Sequence, residues 1–346
     1  MKKSSSLFIS GLLIGCIVSC LIFAGISRNQ LTNNPNGNQH TRVLKFAHGL
    51  PTTHPVHLAV VYMNKRLEKI SGGKMKLVIF PSAQMGDETK CIEQVQMGTL
   101  AITKISAAPM GNFVGVMKVF SLPYMFDDSA HYWSVLEGDT GKELLKRLSV
   151  LDNGKKSGFV GLGYFDSGSR NFYATYPIKT PADMVGKKFR VMRDPVAMDL
   201  VQSLGGSPTP IPWGELYTAL KQGVVDGAEN NPPSIVASRH EEVCKYLTLD
   251  AHSRIPDMIV VSQKVWDRLS EQEQGWLRQA MAEATTYQRG LWKKATEDAL
   301  VQMKKDGVQV LNVDTTPYRE AVQPVIKKYA TGDIKTFYDK IRAEAK

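Results

Sequence analysis

The stretch from Ser270 to Asp306 constrains the fold most. Ser270-Glu271-Gln272-Glu273 has the form of a capping box, in which serine and glutamate side chains each accept the other's backbone N–H. No proline follows before Asp306, and apolar residues recur at helical spacing: Trp276, Leu277, Ala280, Met281 and Ala284, then Leu291, Trp292, Ala295, Ala299, Leu300 and Met303. At 1.5 Å per residue such a helix approaches ~50 Å. That is longer than one lobe of this size needs. A helix lying across two lobes, kinked near Gly290, is the expectation, and 346 residues suit two lobes.

The rest of the chain alternates strand and helix signals, the pattern of an α/β fold with a largely parallel sheet. Residues 43–48 and 75–80 read as strands. Between them, residues 54–70 form a helix with Val56, Ala59, Val60, Met63 and Leu67 on one face. Asp87 and Glu88 enrich the first turn of a second helix that Gly98 stops. Strands follow at 100–104 and 158–165, with one helix at 130–148 between them. Beyond them come strands at 171–175, 188–192, 223–225, 247–249, 258–261 and 308–313, an irregular edge strand at 209–212, and a helical tail from Pro317. Residues 258–261 are expected to be a return crossing to the first lobe, and two such crossings would restrict motion to hinge closure.

The N-terminus is different. Residues 1–27 join a two-lysine start to an apolar run from Leu7 to Ile26, which reads as an export segment and is long enough to span a bilayer. Cys16 and Cys20 each end a lipobox-like sequence. A cleaved signal, a retained anchor and a lipoprotein all fit, and each puts the body outside the cytoplasm. Residues 28–42 are a polar, Asn-rich tether. The net charge is +10, of which Lys2, Lys3 and Arg28 supply three, leaving +7 for the rest. That suits a mildly basic surface. No basic run is interleaved with stacking aromatics, so nucleic acid is not an expected partner. Cys91 and Cys244 lie too far apart in sequence for a metal motif; they read as buried thiols or, in an oxidising compartment, a disulfide. No GxSxG, HExxH, Walker A or GxGxxG motif occurs in a suitable strand–helix context, and no cofactor or metal is expected.

The chemistry concentrates in residues 186–233, GKKFRVMRDPVAMDLVQSLGGSPTPIPWGELYTALKQGVVDGAENNPP. Arg190 sits at the end of an apolar strand, where a guanidinium is hard to bury without a partner; a carboxylate suits its fork. An internal salt bridge would serve equally well. Asn230 follows a DG turn and can donate and accept, while Trp213 opens a helix. Strand ends of open α/β sheets are where ligands bind.

KFRVM followed by GGSPTPIPWGELYTALKQGVVDGAENNPP resembles the core motif of the extracytoplasmic solute-binding proteins of tripartite ATP-independent periplasmic (TRAP) transporters, the DctP-type family. QMGD-E and VFSLPYMF recur upstream in the family's order, so the resemblance runs from about Val43 to the C-terminus. It implies a two-lobe, periplasmic-binding-protein-like (type II-like) α/β fold with hinge strands and a long lobe-spanning helix. Lobe I would comprise 43–167 plus 256–295, and lobe II 168–255 plus 296–346. It implies a monomer that captures a small organic acid in the interlobe cleft and delivers it to small and large integral membrane subunits. By position Arg190 matches the family's carboxylate-binding arginine, Arg170 a second cleft arginine, Trp213 an aromatic wall and Asn230 an orienting amide. Arg193, Glu88, Lys104, Ser106, His48 and His252 lie near strand ends on the cleft side and are further ligand-binding candidates. AENNPP, Trp213 and the polar Lys104 and Ser106 resemble members that take sugar acids such as uronates more than those that take C4-dicarboxylates; a sugar acid needs one anion clamp and many hydroxyl partners, a dicarboxylate two clamps. Two available arginines keep the dicarboxylate open. An exported enzyme acting on an organic acid is the alternative of another class.

Overall fold

The structure, a computed structural model, describes residues 41–151 and 153–345. The export segment and all of the tether before Thr41 lie outside the described residues. Arg42 is not tether but the first residue of a strand.

In chain order the first lobe is built from β1 (Arg42–Ala47), α1 (Pro55–Ile70), β2 (Met75–Phe80), α2 (Glu88–Met97), β3 (Ile102–Ser106), α3 (Ser129–Glu137), α4 (Asp139–Arg147) and β4 (Phe159–Phe165). The second contains β5 (Arg170–Ala174), β6 (Lys188–Val191), α5 (Pro195–Ser203), β7 (Ser207–Pro210), α6 (Trp213–Lys221), β8 (Gly227–Asn230), α7 (Pro232–Ala237) and β9 (Tyr246–Ser253). The chain then returns through β10 (Asp257–Ser262) to α8 (Glu271–Lys305), β11 (Gln309–Asn312) and a terminal helix α9 (Gly332–Ala343).

Two sheets result. The first has the order β2-β1-β3-β10-β4 and the second β11-β9-β5-β8-β6-β7. In the first, β1 pairs parallel with β2 and β3, and β10 runs antiparallel between β3 and β4. The antiparallel strand is the returning crossover.

Local signals explain the elements. The predicted apolar face of α1, with Val56, Ala59, Val60, Met63 and Leu67, is wholly buried, and His54 caps the helix by accepting from Val56 N–H. Burying the valine, methionine and leucine side chains contributes about 1.5–3 kcal/mol each. Asp87 caps α2 through Lys90 N–H at 2.8 Å, placing Glu88 in its first turn. The helix expected over 130–148 is two helices, broken where Gly138 takes extended backbone. The strand expected at 223–225 lies instead at β8. Gly227 belongs in it because a Cβ there would come within 2.6 Å of the Tyr173 carbonyl on β5. Glu229 and Asn230 are therefore inside a central strand rather than after one.

Helix α8 spans both lobes, as expected, but runs 35 residues through Gly290 without a break in helical structure. Its N-terminal half packs Leu277, Ala280, Met281 and Ala284 with α1, while Met303 joins the core beneath the second sheet. Gln288 holds the first hinge strand by a reciprocal pair: Asp166 N–H donates to Oε1 and Nε2 donates to the Asp166 carbonyl, each at 2.8 Å. Two residues on, Gly168 has φ +61°, and a Cβ there would meet the Trp292 indole at 2.8 Å. Only glycine suits that turn.

The tail does not stay with the second lobe. Phe337 and Ile341 of α9 enter the core that holds Leu136 and Leu144, and Thr140 donates to Glu344 at 2.6 Å. Assigning all of 296–346 to lobe II is thus corrected: α9 covers α3 and α4. Cys91 and Cys244 are unpaired and buried in separate cores.

Candidate functional site

A cavity lies between the two sheets, lined by both lobes. The second lobe contributes Arg170, Arg190, Met192, Trp213, Asn230 and Ser234; the first contributes Leu50, Glu88, Lys104, Ser106 and Asp257.

Arg190 reaches the cavity because of strand alternation. Phe189 and Val191 enter the core on one face of the second sheet, so Arg190 projects from the other, where its Cζ lies 5.4 Å from the Trp213 ring centroid. Its Nε donates to the Ile211 carbonyl at 2.8 Å. Its Nη1 is buried without a partner. Burial pushes this guanidinium below its ordinary pKa, and Glu229 offsets that only in part. A carboxylate oxygen placed here would restore the missing bond.

Arg170 differs. It forks onto Glu229, with Nε to Oε2 and Nη2 to Oε1 at 2.8 Å, and Nη2 also reaches the Glu229 carbonyl at 2.9 Å. Burial alone would raise the Glu229 carboxyl, but Arg170 and His252 hold it down to about 2. The expected second free cation is therefore neutralised inside the protein. What remains is its Nη1, which donates to Asn230 Oδ1 at 3.1 Å. That oxygen also accepts from Asn231 N–H and Asn231 Nδ2, at 2.9 and 3.0 Å. With Oδ1 so occupied, what Asn230 has left to offer a ligand is its Nδ2, a donor.

On the first lobe, Lys104 is held by Glu88 Oε1 at 3.1 Å and Asp257 Oδ1 at 3.0 Å. Burial would lower its pKa; the two carboxylates outweigh that and raise it. Asp257 is pushed up to about 6 by burial, against the pull of Lys104.

Three predicted residues do not line the cavity. His48 is buried beside it: its Nδ1 accepts from Leu50 N–H at 3.2 Å and its Nε2 bonds His57 at 3.0 Å, so it shapes the loop bearing Leu50. Burial, with Lys104 and His57, drives its pKa down to about 3. His252 lies behind Glu229, bonded to Asp250 at 2.7 Å; against the effect of burial, Asp250 and Glu229 raise it to about 9. It buttresses the Arg170 pair. Arg193 is half-exposed, 3.9 Å from Asp87, and its carbonyl accepts from Asn112 of the first lobe at 2.6 Å, so it ties the lobes together outside the cavity.

Sequence reasoning missed Asp257, Ser234 and Glu229's role as the partner of Arg170. Asp257 had a signal, a lone acid opening the apolar strand DMIVVS, the same reason that singled out Arg190. Ser234 had none. It meets His54 of the first lobe at 3.1 Å only because the lobes face each other.

The comparisons agree with this architecture. Residues 46–332 match the family described as bacterial extracellular solute-binding protein, family 7, DctP. YiiZ of Salmonella typhimurium is 35% identical over 285 residues, 82% of this chain and 85% of that protein. A TRAP periplasmic solute binding protein from a Bradyrhizobium species, solved with galacturonate, is 37% identical, with TM-score 0.83 over 87% of this chain and 100% of that one. Another from Xanthobacter autotrophicus, solved with β-D-galacturonate, is 36% identical, with TM-score 0.83 over 87% of this chain and 99% of that one. The chain therefore belongs to the DctP family of TRAP extracytoplasmic solute-binding proteins.

Proposed function

We propose that this protein captures a monocarboxylic sugar acid, a uronate first, in the cavity between its lobes. The observation that carries this reading is Arg190. Of the three cations lining the cavity, Arg170 is matched by Glu229 and Lys104 by Glu88 and Asp257, while Arg190 has no ion-pair partner among the described residues and a buried unpartnered Nη1. One free guanidinium suits one carboxylate. Asn230 Nδ2 would orient that group, and Trp213 would form the apolar wall against the ring. Arg170 would act through Asn230. The uronates bound in the Bradyrhizobium and Xanthobacter structures favour the same class.

In this reading the protein works by binding, not catalysis. Ligand enters the open cleft, the two hinge links let the lobes close, and the closed form delivers the acid to the membrane subunits of the transporter. The body faces the periplasm or the outer surface of the membrane.

The test is a thermal-shift and calorimetry screen of galacturonate, glucuronate and succinate. Stabilisation by the uronates is expected, about 2.7 kcal/mol at a hundred times Kd. Stabilisation by succinate alone would refute the uronate assignment. Mass spectrometry of ligand recovered after incubation tests the absence of turnover: chemically altered ligand would support an enzyme instead.

A further inference from the structure

The two walls of the cavity have opposite hydrogen-bonding character. The second-lobe wall has donors to spare, Arg190 Nη1 and Asn230 Nδ2. The first-lobe wall has acceptors to spare. Glu88 spends Oε1 on Lys104 and on Ser106 N–H, both at 3.1 Å, and Asp257 spends Oδ1 on Lys104 at 3.0 Å. Each carboxylate keeps its second oxygen for another donor. Ser106 Oγ is also buried without a partner. Strand pairing sets this cluster: Asp257 on β10 lies directly across from Ser106 on β3, and α2 brings Glu88 over both. Two carboxylates share one ammonium, so the wall is acidic by one charge.

We propose that Glu88, Asp257 and Ser106, with Lys104 locked between the two acids, are the specificity wall of the site. They take hydroxyl groups at the end of the ligand away from its carboxylate and exclude a second carboxylate there. This rests on the assignment of the ligand's carboxylate to Arg190. A hydroxyl brings a proton to donate, which the spare oxygens need. A second carboxylate brings none, and it would face a net negative wall whose ammonium is already bonded to two acids. Lys104 is then not an anion clamp. It fixes both carboxylates and keeps their like charges from driving them apart. The class of ligand is a polyhydroxy monoacid, and the diacids excluded are those that oxidation of its far end would give.

Calorimetry of the full chain with galacturonate and with galactarate, its counterpart oxidised at C1, tests this. The wild type is expected to prefer galacturonate by at least about 100-fold. Glu88→Gln keeps shape and removes charge at a residue about a quarter exposed, so folding is spared. It is expected to weaken galacturonate about tenfold and narrow the preference by a similar factor. Asp257→Asn is expected to do the same, with the unliganded melting temperature reported beside it. Comparing one ligand pair across variants cancels the difference between ring and open-chain shapes. An unchanged galacturonate-to-galactarate ratio in both variants, or a wild type that prefers the diacid, would overturn the proposal. Arg190→Ala separates the two layers: if the wild type binds galacturonate and Arg190→Ala binds it equally well, the carboxylate assignment itself is wrong and the specificity wall falls with it.

Discussion

Replacing Arg190 with methionine is expected to weaken acid binding severely while leaving the empty protein close to the wild type in stability, or above it. The two effects have separate origins. Losing a charge-assisted contact to a carboxylate costs about 2–5 kcal/mol, or roughly 30-fold to several thousand-fold in Kd. In the unliganded protein Arg190 is 4% exposed, with one buried donor unpaired and no ion-pair partner among the described residues. An unpaired buried donor costs about 1–3 kcal/mol. Methionine removes that cost. It also removes the 2.8 Å bond to the Ile211 carbonyl, a loss of about 1.5–3 kcal/mol for a charged donor. The terms nearly cancel, and removing a buried charge that lacks a partner favours methionine further. Stability within about 1 kcal/mol of the wild type, or above it, is expected from urea denaturation. Calorimetry reads the affinity. A variant that loses more than about 2 kcal/mol of stability yet binds within about threefold would refute the reasoning, because Arg190 would then be a structural cation.

The network behind the site makes further predictions. Glu229→Gln breaks the buried fork on Arg170 and leaves that guanidinium charged and half-satisfied, a loss of about 3–5 kcal/mol in denaturant unfolding. Equal stability of mutant and wild type would show that the pair adds nothing. His252 predicts a pH dependence. Its folded pKa is raised from 6.5 to about 9, so its contribution is full below 6.5 and is lost as pH rises through 9. The size is on the order of 3 kcal/mol. A His252→Gln variant, compared with the wild type at pH 6 and pH 9.5, is therefore expected to close the stability gap at the higher pH. A gap that stays constant with pH would mean His252 does not carry the charge.

Much of the fold was legible because local signals and burial agreed. The five apolar residues of α1 that the periodicity selected are the ones buried, and the capping box at Ser270 starts α8 as read. Where a short segment was ambiguous, long-range pairing decided. The apolar run 223–225 looked like a strand, yet the strand is Gly227–Asn230, because only there does a glycine let the backbone approach Tyr173. Seven of the ten expected site residues line the cavity, Arg170 and Asn230 among them marked by the family resemblance rather than by residue chemistry, and neither signal gave their roles.

Arg170 and Arg190 show the difference most clearly. In sequence they are two arginines at strand ends with equal claim to an anion. Strand order places β8 between β5 and β6, beside both arginines, yet Glu229 forks onto Arg170 alone and reaches Arg190 only through its field. The same logic turns Lys104 from a candidate clamp into a brace, since Asp257 arrives on a strand 153 residues away. Sequence alone determined the family, the two-lobe plan and the kinds of side chain brought to the cleft, because patterning and motif order are local. Which of those charges remains free for a ligand was decided by tertiary structure, because neutralisation depends on partners that only folding brings within a few ångströms.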